Sequence, residues 1–348
     1  MQLKIKKAQN KKMDITMSHG SGGQMTAKLI NDIFFKHFQN DILLKAEDSA
    51  VLDMNGKIAF TTDSFVVEPL EFNGGDIGKL AVCGTVNDLI SVGARPLYLT
   101  CGFIIGEGFS IEQLERIVIS MSETAKEAGV KIVAGDTKVI ETKGLFINTS
   151  GIGDVISSVS ISNSKKGSKI IVTGNLGEHQ ASIMSARMGI ENNIKSDVAP
   201  LIGLANIFEK LQNSPKNIDN SEISKTAIQT MRDITRGGLV TVLHELCEKS
   251  NCGVLIYEKK IPVCNEVKGF CDILGLEPIY MANEGKMLIV VEEKYADKVL
   301  EFVKNCLYCE NATIVGEITD GSDVILKTLI GGERILSPLY SEGLPRIC

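Results

Sequence analysis

Apolar and polar positions follow two alternating periods along the first half of the chain. Apolar residues recur at helical spacing after Gly23 and over residues 111–128, and Asp76 is placed as the N-cap of a third helix ending near Val92. Short apolar runs bounded by glycine or acidic residues predict strands at 57–62, 65–67, 97–105, 130–134 and 145–155. Asp63 interrupts the first two runs and predicts a break between them.

The second half mixes helices and strands in the same way. The patterns predict helices near 180–187, 199–212, 239–249 and 295–306, and strands at 169–173, 254–258, 286–291 and 323–328. A stretch rich in Ser, Lys and Gly separates the two halves. We therefore predict an α/β (α+β) chain with a basic, disordered leader (1–13), two domains (14–158 and 165–335) and a mobile tail (336–348).

Composition excludes several functional classes. The 348 residues carry a formal net charge of -6 and no tryptophan, so neither a basic field nor stacking platforms for nucleic acid are expected. No run approaches the roughly 20 apolar residues that span a bilayer. Nine cysteines with a single CxxC argue against a disulfide framework. We expect a cytoplasmic protein that binds neither nucleic acid nor membranes.

Several carboxylates of the first half flank or interrupt apolar runs. They are Asp48 (beside Glu47), Asp63, Asp88 and Asp136. Asp88 is the most informative, because a carboxylate on a helix of small and apolar residues is costly unless it is paired or binds a cation. Magnesium prefers oxygen ligands and shares them with phosphates, so the group suggests a metal-phosphate site. Individually, each residue could equally be a cap or a turn residue.

A glycine-rich loop supports phosphate binding. Residues His19-Gly20-Ser21-Gly22-Gly23 precede a helical pattern, and glycines let backbone N–H groups approach phosphate oxygens at a helix start. Such a loop alone could merely turn. The chain contains no GxxxxGK[ST] motif, so it is not a P-loop protein.

Two motifs of the second half carry charges next to predicted elements. Arg236 stands at the start of a helix, where a cation is unfavourable unless an anionic ligand or a salt bridge with Asp233 compensates. Glu284 lies just before a buried strand. Glu284 and Lys138 would be reasonable proton-transfer groups near phosphates, although each could be an ordinary surface charge.

The tail ends in Pro345-Arg346-Ile347-Cys348. Two prolines and a glycine among its last twelve residues argue against a helix or a central strand. Taken alone, a terminal cysteine is usually incidental.

The order of these motifs nevertheless resembles one family. The matching segments are 19–23, 62–65, 87–88 with 93–96, 135–138, 233–238, 283–286 and 345–348. Together they are similar to the HypE family of hydrogenase maturation proteins, which belongs to the AIR synthetase (PurM-like) superfamily. The central motifs are shared across the superfamily, and the terminal Pro-Arg-Ile-Cys is specific to HypE. Glu47-Asp48 departs slightly from the two aspartates common in relatives.

The resemblance implies a two-domain PurM-like fold with mixed sheets, flanking helices and a flexible tail. It also implies ATP-dependent dehydration of an S-carbamoyl group on Cys348 to a thiocyanate, the source of cyanide ligands for the iron of [NiFe]-hydrogenase. Cys348, Glu284 and Lys138 would be the catalytic residues. The implied cofactors are ATP and Mg²⁺.

The resemblance further implies binding residues and partners. ATP would be bound by His19, Gly20, Ser21, Gly22, Gly23, Asp63, Asp136 and Arg236. Magnesium would be bound by Asp48, Asp63, Asp88 and Asp136. The partners would be a second copy in a homodimer, a HypF-like carbamoyltransferase and a HypC–HypD-like iron scaffold.

Other functions compete with this one. Selenophosphate synthetase shares the acids but uses a cysteine or selenocysteine in its N-terminal loop, which 18–23 lacks. Thiamine-monophosphate kinase and AIR synthetase act on free small molecules, and in either activity Cys348 would have no function. A non-catalytic carrier, whose tail serves only for docking, is an alternative of a different class.

Overall fold

The computed structural model describes residues 14–21, 23–46, 49–54, 56–157, 159–208 and 227–339. Two main β-sheets organise them, one of four strands in the N-terminal part (14–157) and one of seven strands in the C-terminal part (159–339). Within the described ranges, no helix is both long and apolar enough to cross a bilayer. The predicted leader and most of the predicted tail lie outside these ranges.

The N-terminal sheet consists of β1 (Ile58–Phe65), β4 (Ala94–Gly106), β5 (Lys131–Ile140) and β6 (Leu145–Val155), and a separate ribbon pairs β2 (Glu71–Phe72) with β3 (Gly75–Asp76). Its strand order is β1–β6–β4–β5, and only β4 and β5 pair in parallel. In the register of the sheet, Asp63 pairs with Thr149, Thr149 with Cys101, and Cys101 with Gly135. The strands β1 and β5 are therefore its opposite edges.

Helices cover one face of this sheet. A helical segment begins with α1 (Gln24–Leu29), continues as a π-helix (Ile30–Phe35) and ends with α2 (Lys36–Phe38). It is followed by α3 (Ile77–Ser91) and α4 (Ile111–Glu127). As predicted, Asp76 caps α3, because its Oδ1 accepts hydrogen bonds from the N–H groups of Gly78 and Lys79 at 2.7 and 3.0 Å.

The opposite face of the N-terminal sheet carries exposed apolar side chains. Phe60 alternates with Thr61, whose hydroxyl bonds to α3, so Phe60 points the other way. Ile58, Phe60 and Ile104 are 52%, 66% and 43% exposed. We call these three residues the outer face; it has no covering element among the described residues.

The C-terminal sheet has the order β13–β12–β9–β11–β7–β10–β8. Its strands are β7 (Lys169–Val172), β8 (Ile228–Asp233), β9 (Gly253–Tyr257), β10 (Met287–Val291), β11 (Thr313–Thr319), β12 (Val324–Lys327) and β13 (Glu333–Ile335). All pairs are antiparallel except β12 with β9. Strand β10 lies between β7 and β8, and every one of its residues is buried.

Both faces of the C-terminal sheet are covered. Its helices are α5 (Glu178–Met188), α6 (Ile202–Ala205), α7 (Gly238–Ser250), α8 (Asn265–Leu274) and α9 (Ala296–Lys304). Leu288 and Val290 pack in a core with α7, whereas Met287, Ile289 and Val291 alternate with them and join a larger core. That larger core also contains α3, so apolar packing is continuous between the two parts.

Several expectations differ from the structure. Strand β5, expected to end before Gly135, continues to Ile140, because its pairing with β4 runs on through Gly135 and Asp136. Strand β1 runs through Asp63 without a break, because its hydrogen bonds to β6 continue and the side chain emerges on a half-exposed edge strand. The helix predicted from residue 199 begins only at Ile202, because Pro200 disfavours helix before it and the Leu201 N–H donates to Asn87. The patterns also do not predict strands β2, β3, β8 and β13 or helix α8.

Candidate functional site

Two acidic residues of the N-terminal part face the C-terminal part. Asp88 projects from α3, and its Oδ2 accepts a hydrogen bond of 2.8 Å from the Thr61 hydroxyl. Asp63 lies on β1, and its Oδ1 accepts a bond of 2.7 Å from the N–H of Ser64. Both are half-buried. Within the described ranges, the only cationic charges acting on them are those of Arg236 on Asp63 and Arg232 on Asp88, and each is outweighed by burial.

Two segments of the C-terminal part meet them. One is the turn from β8 into α7, with Asp233 at the end of β8 and Arg236 in the turn. The other is the loop 283–286 before β10, which carries Glu284. Backbone bonds fasten the segments together, since Ile234 donates to Lys286 and Asn283 donates to Ile234, at 2.9 and 3.1 Å.

The sequence of each segment suits its position. Gly238 has a φ of +63°, and a Cβ there would lie 2.5 Å from the Ile279 carbonyl oxygen. Asn283 is fully buried, and its side chain bonds to Gly177, Ile234 and Met281. These two residues fix the turn and the loop, so Arg236 and Glu284 emerge at one place.

The charges of this region interact, and we call Asp63, Asp88, Asp233, Arg236 and Glu284 the junction cluster. Burial, and then the nearby charges of Asp233 and Asp63, raise the pKa of Asp88 to about 6. Burial, and then the neighbouring carboxylates, raise the pKa of Glu284 well above its usual range, with Arg236 opposing. Burial also raises the pKa values of Asp63 and Asp233. A bound cation would reduce the repulsion among these four carboxyls, which the single exposed arginine does not balance.

The donor set fits magnesium held jointly with phosphate. Over the described ranges, no three His, Cys, Asp or Glu side chains converge closely enough to hold a metal ion alone. Magnesium usually keeps waters and takes one or two carboxylates plus phosphate oxygens. Asp63 and Asp88 can supply such carboxylates. Asp48, the other acid predicted for this half, lies outside the described residues.

A second region lies at the far edge of the N-terminal sheet. A cavity of about 890 Å³ opens between the helical segment 24–38 and the strands β4 and β5, and its lining includes Gly20, Phe34, Phe103, Asp136 and Lys138. The backbones approach closely there, because a Cβ on Gly20 would lie 2.7 Å from the Val139 nitrogen. The cavity is apolar inside and charged at its rim, which suits a flat heterocycle with an anionic group.

The other residues of the glycine-rich loop 19–23 lie directly before the helical segment 24–38. His19 is buried, and its Nδ1 accepts a 3.0 Å bond from the Thr16 N–H. Ser21 and Gly23 are exposed, and Gly23 is the N-cap of α1. Gly22 lies outside the described residues.

Asp136 and Lys138 form the rim of the cavity. The Lys138 Nζ lies 2.9 Å from Asp136 Oδ1, and their side chains are 64% and 67% exposed. The hydrogen bond from Lys138 lowers the pKa of Asp136. This is the opposite of the shift in the junction cluster, where burial dominates.

The predicted site residues therefore fall into two groups within one chain. Asp63, Asp88, Arg236 and Glu284 belong to the junction cluster, whereas Asp136 and Lys138 belong to the cavity rim. Because β1 and β5 are opposite edges of a four-stranded sheet, three strand spacings of about 14 Å in total separate them. A single chain brings neither Asp136 to Asp63 nor Lys138 to Glu284. Cys348 lies outside the described residues.

One residue of the site escaped the sequence analysis. Asp197 is buried behind Glu284, and its carboxylate accepts hydrogen bonds from the backbone of the loop 283–286. The only local signal is an acidic residue in an otherwise apolar run, Val198-Ala199-Pro200-Leu201.

Comparisons with known proteins agree with this architecture. The model of the N-terminal domain of AIR synthase related proteins matches residues 46–155, and that of the C-terminal domain matches residues 165–328. Carbamoyl dehydratase HypE of Escherichia coli is 40% identical over 96% of this chain and 99% of its own length. Carbamoyl dehydratase HypE of Cupriavidus necator is 40% identical over 96% of this chain and 95% of its own length.

Solved structures give the same result. A hydrogenase maturation protein HypE in complex with ATP superposes with a TM-score of 0.88 at 40% identity, covering 96% of this chain and 99% of that one. The HypE chain of a HypE–HypF complex gives 0.76 at 46% identity, covering 89% and 99%. A thiamine monophosphate kinase at 18% identity and TM-score 0.59 shares the fold alone. The PurM-like fold expected from the motifs is confirmed, and the chain belongs to the HypE family of hydrogenase maturation proteins, within the AIR synthase related proteins.

Proposed function

We propose that this protein is a carbamoyl dehydratase that uses ATP to convert an S-carbamoyl group on its own Cys348 into a thiocyanate for hydrogenase maturation. The observation that carries the proposal is the junction cluster, where carboxyls with raised pKa values meet beside an arginine, in a chain about as long as its carbamoyl dehydratase relatives. A relative whose structure contains ATP supports the nucleotide.

The last described residues approach the elements that carry the junction cluster. The Leu336 carbonyl accepts a 2.9 Å bond from His244 on α7, and the Ser337 carbonyl lies 3.4 Å from the Tyr280 hydroxyl. Helix α7 follows Arg236, and Tyr280 precedes the loop of Glu284. Nine residues follow Leu339, and such a length spans up to about 30 Å. We propose that this length lets Cys348 reach Glu284.

The reaction has two balanced steps. In the first, the carbamoyl oxygen attacks the γ-phosphorus of ATP, the amide nitrogen loses one proton, and ADP leaves. In the second, the nitrogen loses its other proton, the C–O bond breaks, and phosphate leaves behind an S–C≡N group. Water is thereby removed as phosphate, and the sulfur stays bonded to carbon throughout.

The residues of this chain have distinct roles in the proposal. Glu284 accepts the nitrogen protons, because burial and the neighbouring carboxylates raise its pKa and so increase its affinity for a proton. Arg236 orients the phosphates, and the apolar cavity holds the adenine. Magnesium would be held by Asp63 and Asp88 with Asp48, and by Asp136 of a second copy, and would neutralise charge on the phosphates when bound. Lys138 is the second candidate for proton transfer.

A homodimer would unite the two groups of site residues. The outer face exposes three large apolar side chains, and no element of the described part of the chain covers them. Pairing two copies through this face would cover it and could bring the Asp136–Lys138 rim of one copy toward the junction cluster of the other. The dimer therefore explains why a single chain separates residues that the reaction needs together.

The partners follow from the chemistry. Cys348 must first receive a carbamoyl group, for which we propose a HypF-like carbamoyltransferase, supported by a relative whose structure is a HypE–HypF complex. The cyano group must then reach iron, for which we propose a HypC–HypD-like scaffold. A cytoplasmic location is part of the same proposal.

An oxygen-labelling experiment tests the dehydration. The protein is carbamoylated with ¹⁸O in the carbamoyl group and given unlabelled ATP and magnesium. We expect ¹⁸O in the released inorganic phosphate, because the phosphorylated carbamoyl oxygen leaves with phosphorus. Phosphate without label would contradict the mechanism. Phosphate release that does not depend on the carbamoyl group would favour a carrier with unrelated ATP turnover.

A further inference from the structure

A buried aspartate lies directly behind the loop that carries Glu284. The side chain of Asp197 is 0% exposed. Its Oδ1 accepts a 3.2 Å hydrogen bond from the N–H of Glu284, and its Oδ2 accepts one of 3.2 Å from the N–H of Gly285. One carboxylate thus holds two consecutive peptide groups of the loop.

The charge of Asp197 is balanced by a buried lysine. The Lys286 Nζ lies 3.6 Å from Asp197 Oδ2 and 3.8 Å from Glu178 Oε2, and the lysine side chain is 7% exposed. A buried carboxylate is stable only when it is paired and hydrogen-bonded, and Asp197 meets both conditions. Lys286 belongs to the loop and immediately precedes β10, so this pair fastens the loop to the central sheet.

The backbone at Asp197 packs tightly against the loop 283–286. A Cβ on Gly285 would lie 2.0 Å from the Asp197 carbonyl oxygen. The Asn87 amide of α3 donates to the Ala199 and Glu284 carbonyls at 3.0 and 3.2 Å. Asn87 precedes Asp88 on α3, so the same hydrogen-bond network links the backbone of Glu284 to the helix that carries Asp88.

We propose that Asp197, paired with Lys286, is a positioning residue that sets the backbone of Glu284 for proton transfer. The inference rests on the proposed dehydration for its kinetic consequence. It differs from a general packing role because both carboxylate oxygens bond to the peptide groups at Glu284 itself. A residue that only filled the core would not need these two acceptors.

The first test is Asp197→Asn, which keeps the shape and one acceptor but removes the charge. Its amide NH₂ cannot accept the second N–H bond, so the loop is released on one side. We expect kcat for conversion of the carbamoylated tail to fall about 10- to 100-fold, because displacements of about 1 Å at a catalytic group have effects of this size. The KM for ATP should change less than about twofold. An unchanged kcat overturns the proposal.

A double-mutant cycle with Glu284→Gln separates positioning from stability. If Asp197 acts through Glu284, Asp197→Asn should cause no further loss of the residual activity of Glu284→Gln. An equal loss in both backgrounds would mean that Asp197 acts elsewhere, and would overturn the proposal.

Variants of the lysine give a matched comparison. Lys286→Met should reproduce the fall in kcat, and Lys286→Arg should restore part of it. Lys169→Met is the control, because Lys169 also pairs with two carboxylates, Glu293 and Glu317, at 3.0 and 2.6 Å, but lies at the opposite end of β7 and β10. It should leave kcat unchanged. Equal effects of Lys169→Met and Lys286→Met would contradict the proposal.

Amide hydrogen exchange tests the geometry without any activity. In Asp197→Asn, the N–H groups of Glu284 and Gly285 should exchange at least about tenfold faster, while those of β10 stay protected. Unchanged exchange at both groups would overturn the positioning role. If the wild-type protein formed no cyano product, the proposed function would fail, yet this exchange result would still decide whether Asp197 holds the loop.

Discussion

The junction cluster and the cavity rim are built differently. In the junction cluster, the carboxyls are half-buried. Thr61 and Asn283 donate hydrogen bonds and Asp197 accepts one from the Glu284 N–H, and these bonds fix the surrounding backbone and side chains. At the rim, Asp136 and Lys138 meet only as an exposed ion pair on an edge strand. The first region is preorganised within one chain. The second is open to solvent in one chain.

The electrostatics show the same difference. Burial raises the pKa of Asp88 to about 6, whereas the hydrogen bond from Lys138 lowers the pKa of Asp136. A raised carboxyl pKa means that the folded state binds the proton more tightly than the unfolded state does. The junction cluster is therefore the region that gains most from a cation, and it is also where acid–base chemistry near neutral pH is most favourable.

The largest effect is expected at Glu284. Glu284→Gln keeps the size of the side chain but cannot accept a proton, so dehydration of the carbamoylated tail should slow about 10²- to 10⁴-fold. The measurement is the single-turnover rate of phosphate release. Lys138→Met is the matched change at the rim and should have a smaller effect. A larger loss with Lys138→Met would move the base from the junction to the rim.

An intermediate effect is expected on the outer face. Phe60→Glu places a charge where we propose that two copies meet, so it should convert the dimer into a monomer in sedimentation experiments. If the rim of one copy completes the site of the other, ATP turnover should fall at least about tenfold in the monomer. Full turnover by a monomer would show that one chain carries a complete site.

The smallest effect concerns stability and its pH dependence without magnesium or nucleotide. The folded pKa of Asp88 is raised from 3.8 to about 6, so its proton favours the folded state below about pH 4, and this contribution is lost as the pH rises through 6. Asp88→Asn should therefore stabilise the protein at pH 8, by up to about 3 kcal/mol, and not at pH 4.

The matched change at the rim is Asp136→Asn. It removes an exposed ion pair, so the free energy of unfolding should change by less than about 1 kcal/mol. Urea unfolding in EDTA at both pH values measures both variants. Equal effects of the two substitutions at pH 8 would contradict the contrast between the regions.

Local sequence signals predicted much of the fold. The N-cap at Asp76, the periodic helix before Gly129 and the apolar strand after Glu284 all follow from neighbouring residues, and the structure contains them. The sequence predicts a break in β1 at Asp63, because an acidic residue between apolar runs is typical of a turn. The pairing that keeps the strand continuous is with β6, more than eighty residues further along the chain.

The site was only partly accessible from the sequence. Motifs identified Asp63, Asp88, Arg236 and Glu284, but not which of the predicted residues meet in one chain. Asp197 was missed because its partners lie 87 and 88 residues further along the chain. Such contacts depend on tertiary packing and leave no periodic pattern.

The central claim is that the chemistry takes place on Cys348, and intact mass tests it most directly. The protein is incubated with its carbamoyl-donating partner, carbamoyl phosphate and ATP, with Cys348→Ala as the control. We predict a stable gain of about 25 Da on Cys348, the mass of a cyano group replacing hydrogen, and no gain in the control. A gain of about 43 Da that never loses water, or no change at Cys348, would contradict the account.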